Sequence, residues 1–137
     1  MKPTLVDTDI LSMYFRGNET VKTNFEKYID RYGKVNLGII TYYEIVSELK
    51  HRDARKQLYS FLGFAAQNTI LSLTEQSVAT SAEMYADLRK KGQPIDDIDL
   101  LIAGIAVSTD LVLATNNENH FKRIRELEIE NWSKKEF

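Results

Sequence analysis

The sequence contains no cysteine among its 137 residues. Disulfide staples, thiolate zinc sites and a cysteine nucleophile are therefore excluded. Two prolines and six glycines, with no biased tract, argue against fibrous repeats and long linkers. An excess of one charge is also missing: 18 Lys and Arg stand against 20 Asp and Glu, a formal net of -2. That balance does not suit a protein that grips nucleic acid by bulk positive charge. No apolar run approaches the length of a membrane span. Met1 leads straight into Lys2-Pro3 without the layout of a signal peptide, so a cytoplasmic location is expected. What is present is 43% hydrophobic and 28% charged, which suits one globular domain over residues 1–137 with a sizeable core.

Short β-like runs alternate with longer helical ones. Thr4-Leu5-Val6, Lys34 to Ile40, Thr69 to Leu73, Leu111 to Thr115 and Leu127 to Ile129 read as strands. The segments from Ile10, Thr20, Thr41, Asp53, Thr74 and Asp96 carry apolar residues at helical intervals, with Gly17, Gly33 and Gly92 as stops. Such alternation implies right-handed crossovers and an α/β fold, with a mainly parallel sheet of four to five strands covered by helices on both faces. Ligands of these sheets sit beyond the carboxyl ends of the strands.

Carboxylates gather at those ends. Asp7 and Asp9 follow the first strand, and Glu44 lies just inside the helix after the second. Asp96, Asp97 and Asp99 open the helix before the fourth strand, which itself ends in Thr115-Asn116-Asn117. Like charges held together away from water need a cation or raised pKa values. An oxygen-only donor set suits Mg²⁺ or Mn²⁺ with waters retained. Such an ion is the apparatus for activating water against a phosphodiester. Each residue also has a plainer use. Asp7 and Asp9 suit capping of a helix from Ile10, Thr41-Tyr42-Tyr43-Glu44 has capping-box spacing, Asp96 can cap with Asp99 in the first turn, and Asn117 can cap a short helix toward Phe121. His51 and His120 lack zinc-site spacing and read as surface or satisfied histidines. Lys50, Arg52, Arg55 and Lys56 read as a solvated face, as do Arg89, Lys90 and Lys91. The first group can hold phosphates if it adjoins the acidic pocket.

Four segments, in order, resemble the motifs of PIN-domain ribonucleases, in particular VapC-type toxins. They are Leu5-Val6-Asp7-Thr8-Asp9-Ile10-Leu11, Ile40-Thr41-Tyr42-Tyr43-Glu44, Pro94 to Ala103, and Leu113 to Phe121 followed by Trp132. The resemblance implies a three-layer α/β/α sandwich and Mg²⁺- or Mn²⁺-dependent cleavage of a structured RNA of the transfer or ribosomal class. It also implies a homodimer and a VapB-type antitoxin that occludes the site. Carried over by residue, Asp7, Glu44 and Asp99 match the acidic core, with Asp7 and Asp99 as direct metal ligands and Glu44 a ligand directly or through water. Thr8 and Thr115 would orient carboxylates or bound waters. Asn117 stands where many PIN domains carry a fourth Asp, and Asp97 would supply part of the missing charge. Two rival functions use the same residues. Asp7-Thr8-Asp9 also fits the opening of a haloacid-dehalogenase-like phosphatase with Asp7 as nucleophile. The cluster also fits a catalytically silent Mg²⁺-binding regulatory module.

Overall fold

In the computed structural model, which describes residues 1–135, five very short strands lie in one sheet. They are β1 (Thr4–Val6), β2 (Asn36–Gly38), β3 (Thr69–Leu71), β4 (Val112–Ala114) and β5 (Ile129–Glu130). Their order is β3-β2-β1-β4-β5 and all pairings are parallel. The helices are α1 (Thr8–Phe15), α2 (Glu19–Tyr32), α3 (Ile39–His51), α4 (Arg55–Ala66), α5 (Glu75–Lys90), α6 (Asp97–Ser108) and α7 (Glu118–Phe121). The expected layering is present, with all five strands parallel rather than most of them.

Side-chain alternation along the strands divides the core in two. Val6, Leu37 and Ala114 face one layer, where they pack with Ile10, Phe25, Ile45 and Phe61 from α1 to α4. Leu5 and Leu113 face the other, against Met84, Leu88, Ile102 and Ile105 of α5 and α6. The register pairs Leu5 with Leu113 and Val6 with Ala114, so each core meets a matched row. Trp132 is fully buried beneath α2. Its ring packs edge-on to Phe25 at 5.4 Å between centroids, and its carbonyl accepts from Asn24 Nδ2 at 2.9 Å.

Several boundaries differ from the sequence expectation. Ile39 and Ile40 are helical, not β, because α3 begins directly after Gly38, whose extended backbone (φ -84°, ψ 156°) forms the N-cap. Thr41 is thus inside the helix and cannot cap it, so the capping-box use of Thr41 and Glu44 is corrected. Asp53 takes a left-handed turn (φ 53°) that delays α4 to Arg55. β5 runs two residues later than expected, since Leu127 is spent on the core beside α6. Asn117 precedes α7 but makes no side-chain cap bond.

α5 and α6 cross closely at Gly104 and Ser81. Ser81 Oγ donates across the interface to the Leu100 carbonyl at 2.7 Å. A Cβ on Gly104 would overlap Ser81 Oγ and stand 2.5 Å from the Ser77 carbonyl oxygen. A backbone oxygen cannot rotate away as a side chain can. Gly104→Ala is therefore expected to destabilise the fold by about 1–3 kcal/mol through overpacking, despite the better helix propensity of Ala. Urea unfolding checks this, and a stabilised variant would show that the crossing can open freely.

Candidate active site

The chain runs from β1 outward to β2 and β3, then returns across to β4 on the other side of β1. The topological switch point therefore lies between β1 and β4, where ligands of such sheets bind. Asp7 stands there, directly after Val6, and its N–H continues the ladder to the Ala114 carbonyl at 2.9 Å. It is also the N-cap of α1, so the plainer use of this residue is real: Oδ1 accepts from the Thr8 N–H at 2.8 Å. Its other oxygen accepts from Thr115 Oγ1 at 2.7 Å. Thr115 is wholly buried, and its hydroxyl in turn accepts from the Asn117 N–H at 3.0 Å. That second bond fixes the direction of the hydroxyl proton toward Asp7.

Asp9 extends the cluster, its oxygens accepting from the N–H groups of Ile10 (2.7 Å) and Asn116 (3.0 Å). Glu44 comes in from α3. Its Oε1 lies 2.7 Å from Thr8 Oγ1, which is itself 2.9 Å from Thr41 Oγ1. An ionised carboxylate only accepts, so the single Thr8 proton goes to Glu44 and Thr41 donates to Thr8. Asp99 projects from the first turn of α6, where Asp96 performs the capping through the Ile98 N–H at 3.0 Å. His120 Nδ1 lies 3.4 Å from Asp99 Oδ2 and 3.0 Å from Asn117 Nδ2.

Asp7, Asp9, Glu44, Asp99, Thr8, Thr115 and Asn117 thus lie along one sheet edge. Asp97 is not brought in: it is exposed and, among the described residues, makes no side-chain hydrogen bond. His51 is exposed at the end of α3, as expected. His120 is the residue that sequence reasoning missed. Its signal was the spacing from Asn117, three residues along, which sets both over the end of β4.

Electrostatics follow from burial. Asp7 is only 4% exposed, and desolvation pushes its pKa up to about 8, with the charges of Asp9 and Asp99 adding to the rise. The Thr115 and Thr8 bonds oppose it. Burial also raises Asp9 and Asp99, and for Asp99 the His120 contact works in the opposite direction. Among the described residues no Lys or Arg forms an ion pair with any of these carboxylates. Nor, among the described residues, do three or more Asp, Glu or His side chains converge closely enough to hold a metal ion together. An oxygen-rich cluster of this looser kind suits a cation that keeps several waters and takes one or two carboxylates directly.

A PIN-domain family model matches residues 4–127. The chain belongs to the PIN-domain family. That membership separates it from the phosphatase rival. This PIN domain is 28% identical over 109 residues to the tRNA(fMet)-specific endonuclease VapC of Shigella flexneri, covering 79% of this chain and 83% of that one. It is also 28% identical over 130 residues to ribonuclease VapC1 of Methanocaldococcus jannaschii, covering 95% and 87%. The crystal structure of VapBC2 from Rickettsia felis, bound to a DNA fragment from its promoter, superposes with a TM-score of 0.85 at 26% identity, covering 94% of this chain and 98% of that one.

The raised Asp7 pKa makes stability depend on pH. Folded Asp7 keeps its proton up to about pH 8, whereas the unfolded chain releases it near 3.8. The stabilisation is complete below the lower value and is lost as pH rises through the upper one. Metal-free PIN domain should therefore unfold at progressively lower temperature between about pH 5 and pH 8.5, and Asp7→Asn should flatten that trend. Thermal unfolding in EDTA across this range is the measurement. A melting temperature that climbs with pH would contradict a protonated Asp7.

Proposed function

We propose that this PIN domain is a metal-dependent endoribonuclease and the toxin of a type II toxin–antitoxin pair working in the cytoplasm. The observation that carries it is the set of buried or half-buried carboxylates at the switch point with no Lys or Arg paired to them among the described residues. Asp7, Glu44 and Asp99 are the catalytic carboxylates, Asp7 and Asp99 as direct ligands of Mg²⁺, with Mn²⁺ as substitute, and Glu44 as a ligand directly or through water. A bound divalent ion supplies water activation and neutralises charge that builds on the phosphate. Thr115 and the Thr8 N–H hold Asp7, while the Thr8 hydroxyl holds Glu44, so neither carboxylate has to reorganise during the reaction. Sequence likeness to proteins named as a tRNA(fMet)-specific endonuclease and a ribonuclease supports RNA as substrate, of the transfer or ribosomal class.

The partner expected is a VapB-type antitoxin. A groove of about 580 Å³ between α1, α3 and α4 is lined by Phe15, Leu49, Phe61 and Arg52, and its wall includes Thr8 and Glu44. A segment laid in that groove reaches the catalytic edge directly, which is how occlusion would work. A homodimer belongs to the same proposal, and the exposed Val78 and Tyr85 of α5 are apolar surface that it can use.

Purified protein should cut total cellular RNA into discrete fragments in Mg²⁺ or Mn²⁺ and not in EDTA. Asp7→Asn and Asp99→Asn should each reduce cleavage to the EDTA background while the circular-dichroism spectrum and dimer mass are retained. Cleavage that survives either substitution removes the assignment. No cleavage at any metal concentration, from folded protein free of antitoxin, selects the silent binding module instead.

Asp97 is proposed to add charge through space only. An exposed charge acting across water is weak, so Asp97→Asn should weaken Mg²⁺ binding by on the order of twofold. Calorimetric titration that finds unchanged affinity, together with unchanged cleavage, removes Asp97 from the site.

A further inference from the structure

The carboxylates of the cluster are held in unequal ways. Asp7 and Asp9 each accept two hydrogen bonds, and Glu44 accepts one from Thr8. The one side-chain hydrogen bond to Asp99 among the described residues comes from His120, and at 3.4 Å it is the longest in the cluster. We infer that His120 is a positioning residue of the metal site: its Nδ1 edge sets the direction of Asp99, and Asn117 sets the ring. The inference rests on the metal-site reading above.

His120 is held in place by its own short helix. α7 begins four residues after the end of β4, and its last residue, Phe121, is fully buried in the core beside α5 and α6. That anchor holds the ring of His120 against α6, although 21 residues separate it from Asp99 in sequence. With Asp99 ionised, the chemistry of the three groups selects one arrangement. Asp99 only accepts when ionised, so Nδ1 must carry its hydrogen toward Oδ2. Asn117 approaches the same nitrogen at 3.0 Å through an atom assigned as its amide nitrogen. Two donors cannot share that line, whereas an amide turned by half a revolution presents its oxygen and accepts. The single Nδ1–H is then shared between Asn117 and Asp99, and the ring cannot swing without breaking both bonds. Asn117, which stands where many PIN domains carry a further Asp, is thereby committed to His120 rather than to the cation. Its neutrality is what lets it share this proton without adding a further charge beside Asp99.

The test reads metal binding rather than activity alone. Mn²⁺ affinity is measured by electron paramagnetic resonance of the free ion, for wild type and for His120→Ala, His120→Asn and His120→Gln, each checked for an unchanged unfolding temperature. Loss of a group that orients a ligand costs about 10–100-fold in affinity, and that is the weakening expected for His120→Ala. An Asn amide nitrogen falls where Nδ1 stood, so His120→Asn should recover most of the affinity. A Gln amide instead reproduces Nε2 and should not recover it. Wild-type affinity in His120→Ala overturns the inference, as do equal affinities in the Asn and Gln variants, or a wild type that binds no Mn²⁺. If this order of affinities appears while wild type cuts no RNA, the nuclease reading fails and the role of His120 stands. If wild type cuts RNA with metal and His120→Ala binds Mn²⁺ normally, the reverse holds.

Discussion

A buried carboxyl, that of Asp7, sits at the point where β1 and β4 part, and much of the molecule is arranged around its cost. Removing a charge from water with no opposite charge beside it is expensive, and a protein must either protonate the group or surround it with donors. Here both answers are visible. The pKa rises to about 8, and one backbone N–H and one buried hydroxyl point at the two oxygens. Those donors are not accessories. The Thr8 N–H belongs to the first turn of α1 and carries its dipole, so the helix that packs the first core also favours an ionised Asp7.

The sheet makes this placement possible. Three-residue strands bury little on their own, and they persist because Leu5 and Leu113 face one core while Val6, Leu37 and Ala114 face the other. With β1 in the centre, its carboxyl end is flanked by the ends of β2 and β4. Gly38 lets α3 rise at once from β2, since even a Cβ there would press on Ile105 Cδ1 at 3.3 Å. That abrupt turn sets Thr41 and Glu44 one helical turn above the sheet, within reach of Thr8. Packing on the far face therefore helps decide where the Glu44 carboxylate stands.

Asp7, Glu44, Asp99 and Thr115 were legible in the sequence because a parallel sheet sends all its carboxyl ends the same way. Once the alternation of elements is recognised, the ends of separate strands must share an edge. The register of that edge was not legible. Ile39 and Ile40 look like strand residues by their branching, yet α3 begins directly after Gly38, the last residue of β2. The spacing of Thr41 and Glu44 mimics a capping box, yet the hydroxyl is aimed at another segment 33 residues away. His120 was hidden for a related reason. Its partner across the cleft lies on α6, and no local pattern reports how a four-residue helix after β4 meets the start of the helix before it.

One feature is common to all the carboxylates of the site: among the described residues each lies against a donor that is neither lysine nor arginine. Backbone N–H groups serve Asp7 and Asp9, threonine hydroxyls serve Asp7 and Glu44, and an imidazole serves Asp99. Among the described residues, the ion pairs of Lys2, Arg52 and Lys134 are with Glu128, Glu48 and Glu118 instead. A lysine or arginine would orient a carboxylate more strongly, but it would also spend the negative charge that a divalent ion needs. Backbone N–H groups and hydroxyls orient without cancelling. The result is a cluster under electrostatic tension that binding of a cation would relieve. An acidic protein can in this way present a locally positive centre to an RNA phosphate, because two charges on one ion reverse the sign of a field that the net sequence charge would predict to be repulsive.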